Sequence, residues 1–303
     1  MKPFRLHYRY PVTMLPARNI AGVLLALALA ASSVQAQFSQ TLFTDNFYTG
    51  LASGNQTTDL SLNMGLAGGR QGGTIINANP SGYGWSINGQ TSYAANNGWD
   101  LRSQTGFPAS GPIDQYTLRF RDNVANDWST ASPNIGFGSW IVNNSYEIQA
   151  QLLHVHTFAA NGVGNDRWAG VAFGQSATPH LVTQVDTGGL IIYPTGDYQI
   201  WSDGNLATFG NLAVPVNGVL NVDIKVLNNS GSIFVNGNSI ATGVDFSGVP
   251  LDWIGVTELS GTAVQTTQFR YDNFAVSTVP EPSSLALGGL GLVLMLARRT
   301  RKA

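Results

Sequence analysis

Between residues 37 and 278, apolar and polar positions alternate in short runs, and no stretch carries a sustained helical stripe. Tyr116, Leu118 and Phe120 take one parity, while Thr117, Arg119 and Arg121 take the other. Tyr146, Ile148, Ala150 and Leu152 stand in the same relation to Glu147, Gln149 and Gln151. Leu220, Val222, Ile224 and Val226 alternate likewise with Asn221, Asp223 and Lys225. A period of two sends successive side chains to opposite faces, so each run predicts a half-buried β-strand. Further strands are expected over residues 168–173, 180–185, 190–193, 198–201, 232–235, 253–258 and 268–276. Asn229-Ser230-Gly231, Asn236-Gly237-Asn238 and Asp203-Gly204-Asn205 supply the hairpin turns between them. Many strands separated by such turns predict an all-β antiparallel sandwich or barrel. Residues 49–112 are richer in glycine and asparagine, yet Tyr83, Trp85, Tyr93, Trp99 and Phe107 recur through them. They are read as ordered loops and short strands of the same domain.

Both ends break the alternation. Lys2, Arg5, Arg9 and Arg18 precede an apolar run at residues 20–31, and Val34 and Ala36 are small residues suited to a signal-peptidase cut after Ala36. Residues 1–36 therefore read as a signal peptide. At the other end, Pro280-Glu281-Pro282 leads into an apolar run at residues 285–297, closed by Arg298, Arg299, Arg301 and Lys302. Gly288, Gly289 and Gly291 would weaken a soluble helix. An apolar run followed by cations instead reads as a transmembrane helix whose basic end stays in the cytoplasm. It is short against the roughly 20 residues that span a bilayer, which suits a temporary anchor.

The order turn, span, cations at residues 279–303 resembles the PEP-CTERM sorting signal of bacterial envelope proteins. The resemblance implies export, transient anchoring in the inner membrane, and an exosortase cut near Pro280, Glu281 and Pro282. Delivery to the cell surface or extracellular matrix follows. Because that class accompanies exopolysaccharide production, an extracellular polysaccharide is the partner it suggests.

Removing both ends changes the charge. The whole chain has a formal net charge of −2, but residues 37–278 hold 7 lysines and arginines against 16 aspartates and glutamates, or −9. A domain this acidic does not hold a nucleic-acid backbone. The chain has no cysteine, which excludes thiol catalysis and cysteine-ligated metals. A domain of this length buries a core without disulfides.

A second resemblance concerns residues 37–278. The segment opens on Leu42-Phe43-Thr44-Asp45-Asn46-Phe47 and closes on Phe269-Arg270-Tyr271-Asp272-Asn273-Phe274. Between them lie Trp168-Ala169-Gly170-Val171-Ala172-Phe173-Gly174 and the hairpin ending in Phe234-Val235-Asn236-Gly237. This is similar to the laminin-G and concanavalin A-like jelly-roll β-sandwiches, and implies a first strand lying beside the last.

Candidate chemistry is sparse. Glycosidases use two carboxylates flanking the scissile bond, and laminarinase-like members of the resembled fold carry a Glu-x-Asp-x-x-Glu strand. Residues 37–278 hold only Glu147 and Glu258 as glutamates, neither in that spacing, so no enzyme activity is expected. His154 and His156 share a strand face and lack a marked third ligand. A structural calcium would favour acidic loops. Asp45 and Asp272 are candidates, with Asp122-Asn123, Asn126-Asp127 and Asn165-Asp166. Sugar binding would use exposed aromatic faces. Trp85 and Trp99, in the glycine-rich stretch, are the stacking candidates, whereas Trp168, Trp201 and Trp253 fit the core. Three functions are left by this reading: a carbohydrate-binding surface protein, a purely structural surface protein without ligand, and, less favoured, a polysaccharide-active enzyme.

Overall fold

The computed structural model describes residues 40–45, 47, 56–57, 85–89, 98–103, 116–121, 128–133, 135–141, 143–153, 167–175, 181–212, 219–259 and 270–279. All of them belong to the unit Ser39–Val279. The signal-peptide site at Ala36, the Pro280-Glu281-Pro282 turn and the basic residues Arg298, Arg299, Arg301 and Lys302 lie outside the described residues, as do His154, His156 and the aspartates at 122, 127 and 166.

Alternation becomes two antiparallel sheets. Sheet A runs in the order β14 (Asn238–Asp245), β13 (Ser230–Val235), β12 (Val219–Leu227), β7 (Tyr146–Leu153), β16 (Arg270–Thr278), β5 (Tyr116–Arg121), β4 (Gly98–Ser103) and β2 (Gln56–Thr57), with β1 (Gln40–Asp45) also paired to β16. Sheet B runs β11 (Asn205–Asn211), β10 (Asp197–Ser202), β9 (Thr187–Ile192), β8 (Trp168–Gly174), β15 (Trp253–Leu259), β6 (Trp128–Pro133) and β3 (Trp85–Gly89). The expected β-sandwich is thus present. The first strand does lie against the last, with Gln40 opposite Thr278 and Asp45 opposite Phe274.

The three two-residue hairpins follow from residues that accept positive φ. Asp203 and Gly204 take 51° and 71°, and Asn236 and Gly237 take 50° and 76°. The β12–β13 turn sits earlier than expected. Asn228 and Asn229 occupy it at 49° and 69°, which frees Ser230 and Gly231 to start β13. The strand expected over residues 180–185 is not formed at 181–185. The segment folds into turns, with the Gln184 backbone N–H donating to the Leu181 carbonyl and the carbonyls of Leu181, Val182 and Gln184 all within reach of the Thr187 hydroxyl.

Between the sheets lies the main core, supplied by the predicted parity. Tyr146, Ile148, Leu152, Val222, Ile224 and Val226 from sheet A face Phe173, Leu190, Ile192, Ile200, Ile254 and Val256 from sheet B, all buried. Tyr146 meets Phe173 edge-on at 5.7 Å, a favoured geometry for ring pairs. Sheet B is covered on its outer side as well. Trp168, Ala172, Val182, Ile191 and Trp253 form a second cluster, with Leu181 and Trp201 packed against it. That is why β8 and β9 are buried at every position, as expected for Trp168 and Trp253. Sheet A keeps an open polar face over β7 and β12, whose burial alternates residue by residue.

Candidate functional site

Trp85 and Trp99 do not form a sugar-stacking surface. Their exposures are 5% and 2%, so neither ring face can meet a ligand. The glycine-rich sequence around them hid two short strands, and both indoles point inward to join the sheets. Trp85, on β3 of sheet B, donates from Nε1 to Asp45 Oδ2 at the end of β1 in sheet A (3.0 Å). Trp99, on β4 of sheet A, donates to Ser129 Oγ on β6 of sheet B (2.7 Å). A buried indole N–H needs such an acceptor.

Asp45 and Asp272 are likewise buried among protein partners rather than set in open acidic loops; the other calcium candidates lie outside the described residues. Asp45 Oδ1 accepts the Phe47 backbone N–H (2.6 Å), Oδ2 accepts from Trp85, and the residue is 3% exposed. Asp272 is fully buried, and its Oδ1 accepts the backbone N–H of Asn273 (2.7 Å). Calcium requires 6–8 converging oxygens. Among the described residues, no group of three or more carboxylates or imidazoles converges.

The open face of sheet A carries a site that sequence reading missed. A groove of about 520 Å³ is lined by Gln149, Gln151, Asn221, Asp223, Phe234 and Asn273, with Lys225 alongside. Register explains the grouping. Antiparallel pairing sets Gln151 opposite Asn221, Gln149 opposite Asp223, and Glu147 opposite Lys225; β13 adds Phe234 opposite Asp223. All are outward positions of the parity that buries Ile148, Val222 and Ile224.

Asn273 arrives by a different route. Between Asp272 and Ala275 the β16–β7 register slips, and Asn273 takes a φ of 47°. Such a bulge re-aims a side chain. Asn273 Nδ2 donates to Gln151 Oε1 (2.8 Å), Gln151 Nε2 to Asn221 Oδ1 (3.0 Å), and Asn221 Nδ2 to Asn236 Oδ1 (3.3 Å). Four amides therefore form a relay across β16, β7, β12 and the β13–β14 turn. Each primary amide has two N–H donors, so the relay leaves one on each of Asn273, Gln151 and Asn221. With strands ~4.8 Å apart, three steps cover about 14 Å.

An ionic cluster closes one end. Lys225 Nζ lies 3.1 Å from Glu147 Oε1 and 3.2 Å from Asp223 Oδ2, and 5.9 Å from the Phe234 ring centroid. Gln149 Nε2 donates to Glu147 Oε1 (3.0 Å). Burial first, and the adjacent Glu147 carboxylate second, hold the Asp223 carboxyl above the usual carboxylate range, against the opposing pull of Lys225. Partial burial pulls the Lys225 ammonium down, but the hydrogen bonds it donates to Glu147 and Asp223 more than offset this and leave it raised. The face offers amide donors and acceptors, one half-buried ring and a single compensated cation. That set suits hydroxyl groups better than phosphate or sulfate.

Residues 278–302 match the PEP-CTERM protein-sorting motif. The chain carries that signal, which is recognised by an exosortase and marks an exported protein sorted to the cell surface. A search of curated proteins finds no match. Among solved structures, the chain is similar to a sialidase at 11% identity and a TM-score of 0.39, over 64% of this chain and 17% of that one. It is also similar to a protein of unknown function with galectin-like fold from Bacillus subtilis (10%, TM-score 0.40, 64% and 89%). A β-glucanase from Bacillus licheniformis gives 12%, a TM-score of 0.40, and coverage of 67% and 95%. The chain thus spans less than a fifth of the sialidase.

Proposed function

We propose that this protein is a non-enzymatic surface or matrix component whose sheet A groove holds a neutral, hydroxyl-rich extracellular polysaccharide. The amide relay carries the reading. Asn273, Gln151 and Asn221 are held in line by their mutual hydrogen bonds, so their remaining N–H donors are oriented before a ligand arrives, which limits the ordering cost of binding. Phe234 supplies an apolar edge for a sugar ring. A formal charge of −9 over residues 37–278 disfavours polyanionic chains. Hydrolysis is disfavoured by the carboxylates themselves. Glu147 and Asp223 both hold the Lys225 ammonium, whereas glycosidases keep two carboxyls free to flank the scissile bond.

Glycan arrays test this reading. Wild-type protein is expected to retain a neutral polysaccharide, and a Gln151→Ala/Asn221→Ala double variant to bind at least tenfold more weakly with an unchanged melting temperature. These residues are exposed or part-exposed, so the fold should survive. Equal binding by the double variant would remove the groove from consideration. A wild-type protein that binds no glycan would leave the structural, ligand-free role.

Processing forms the second part of the proposal. The short apolar run at residues 285–297 anchors the chain only until the exosortase cuts near Pro280, Glu281 and Pro282. Mass spectrometry of protein recovered from the cell surface is expected to find neither residues 1–36 nor 285–303. Surface protein that still ends at Ala303 would contradict the cut.

A further inference from the structure

Strand β11 ends sheet B among the described residues and has few of the usual defences of an edge. Proteins blunt edge strands with charge, proline or bulges. β11 reads Asn-Leu-Ala-Thr-Phe-Gly-Asn, without a charged residue or a proline. Its register breaks once, opposite Ile200/Trp201, and beyond that point Thr208 to Asn211 pair regularly with Ile200 to Asp197. The end strand of sheet A is different. β14 slips register twice against β13, turns at Gly243 with a φ of 71°, and carries Asp245.

The regular part of β11 displays Phe209, 73% exposed, with Leu206 at 43% on the same strand. Phe209 sits opposite Gln199 and Leu206 opposite Trp201, so the break in register brings both apolar side chains to the outer face. The carboxylate paired with this strand is already occupied: Asp197, opposite Asn211, accepts from Asn211 Nδ2 (2.7 Å) and Thr195 Oγ1 (2.8 Å). Behind the strand, a Cβ on Gly210 would fall 2.5 Å from the Tyr198 hydroxyl, and that hydroxyl donates to the Ile240 carbonyl of β14 (3.1 Å). The edge is therefore backed by a ring that spans the two sheets.

We propose that two copies of this chain pair antiparallel through β11, with Phe209 meeting Phe209 of the second copy on the twofold axis. An unpaired edge presents only main-chain N–H and C=O groups, which another strand satisfies. A twofold at Phe209 also opposes Thr208 to Gly210 and Ala207 to Asn211, so no like charges meet. That matters in a domain of net charge −9, whose copies repel one another. Facing aromatic pairs are favoured across antiparallel strands.

The absence of cysteine makes the test direct. In Phe209→Cys the only thiols would face each other, with Cα atoms roughly 4.5–5.5 Å apart, inside the disulfide range of about 4.4–6.8 Å. Mild oxidation of the full chain is expected to give a covalent dimer. Leu227→Cys, exposed at 42% on sheet A, gives the background. Wild-type protein is expected to show concentration-dependent dimerisation by sedimentation, and Phe209→Lys to weaken it at least tenfold with an unchanged melting temperature. Cross-linking of Phe209→Cys no faster than Leu227→Cys would overturn the proposal. So would a Phe209→Lys variant that dimerises normally, or one that loses only polysaccharide binding.

Discussion

Trp85→Ala is expected to lower the unfolding free energy by about 3–5 kcal/mol, the usual cost of deleting a large buried aromatic. The ring lies 5.3 Å from Phe47, 5.4 Å from Phe274 and 6.5 Å from Phe43, and each aromatic pair adds about 0.5–1.5 kcal/mol beyond burial. The same substitution removes the N–H that Asp45 Oδ2 accepts inside the core. Domains of this size are stable by only about 5–15 kcal/mol, so the variant should melt far lower or fail to accumulate. Trp85→Phe separates the two contributions, since it keeps most of the packing and loses the hydrogen bond. Urea unfolding of the three proteins should rank wild type, Phe, Ala. If Trp85→Ala kept wild-type stability and lost glycan binding alone, the indole would be a ligand platform after all.

Gly189→Ala is expected to be nearly as damaging. Gly189 lies in β9, between β8 and β10, with a φ of 152°, and a Cβ there would sit 2.1 Å from the Val171 carbonyl oxygen and 2.9 Å from Val182 Cγ2. No flexible group can yield, because the oxygen belongs to the neighbouring strand. The backbone strain costs on the order of 1–3 kcal/mol, and forced separation of packed groups adds about 1–3 kcal/mol. Gly237→Ala is the control. Gly237 has a φ of 76° at a hairpin tip with nothing within 4 Å of its would-be Cβ, so only conformational strain of about 1–2 kcal/mol remains. Denaturant midpoints that fell equally in both variants would show that the inter-strand clash contributes nothing.

Parity made much of this fold legible. For β7 and β12, alternation alone separates Ile148, Val222 and Ile224 from Gln149, Asn221 and Lys225, because a sheet with one wet face leaves that imprint. Sheet B left a weaker one. Its β8 is covered on both faces, so Trp168 to Gly174 reads as an unbroken apolar run. β11 was unreadable, since an edge strand exposed at Asn205, Leu206 and Ala207 has no core-facing pattern. Arg119 shows a further limit. Its parity assigned it to solvent, yet it is fully buried, because the outer face of β5 is covered.

The site was hidden for another reason. Gln151, Asn221, Asn236 and Asn273 are far apart in sequence and individually unremarkable as surface amides. Only register across β16, β7 and β12 aligns them, and the bulge that turns Asn273 outward has no signal beyond an asparagine's tolerance of positive φ. The tryptophans misled for the opposite reason. An indole flanked by glycines looks exposed when no strand is recognised around it, and Trp85 and Trp99 each lie on a strand whose partners come from distant sequence.

The position of β16 bears on the order of events during export. This strand pairs with β7 along one side and with β5 and β1 along the other, so sheet A stays in separate pieces until residues 270–278 are available. A chain threaded across a membrane from its N-terminus delivers those residues after all the other described strands. Closure then depends on contacts between the two ends of the sequence, the kind that form slowly. The sorting motif begins at residue 278, where β16 ends. The strand that completes sheet A therefore directly precedes the sorting motif in the chain.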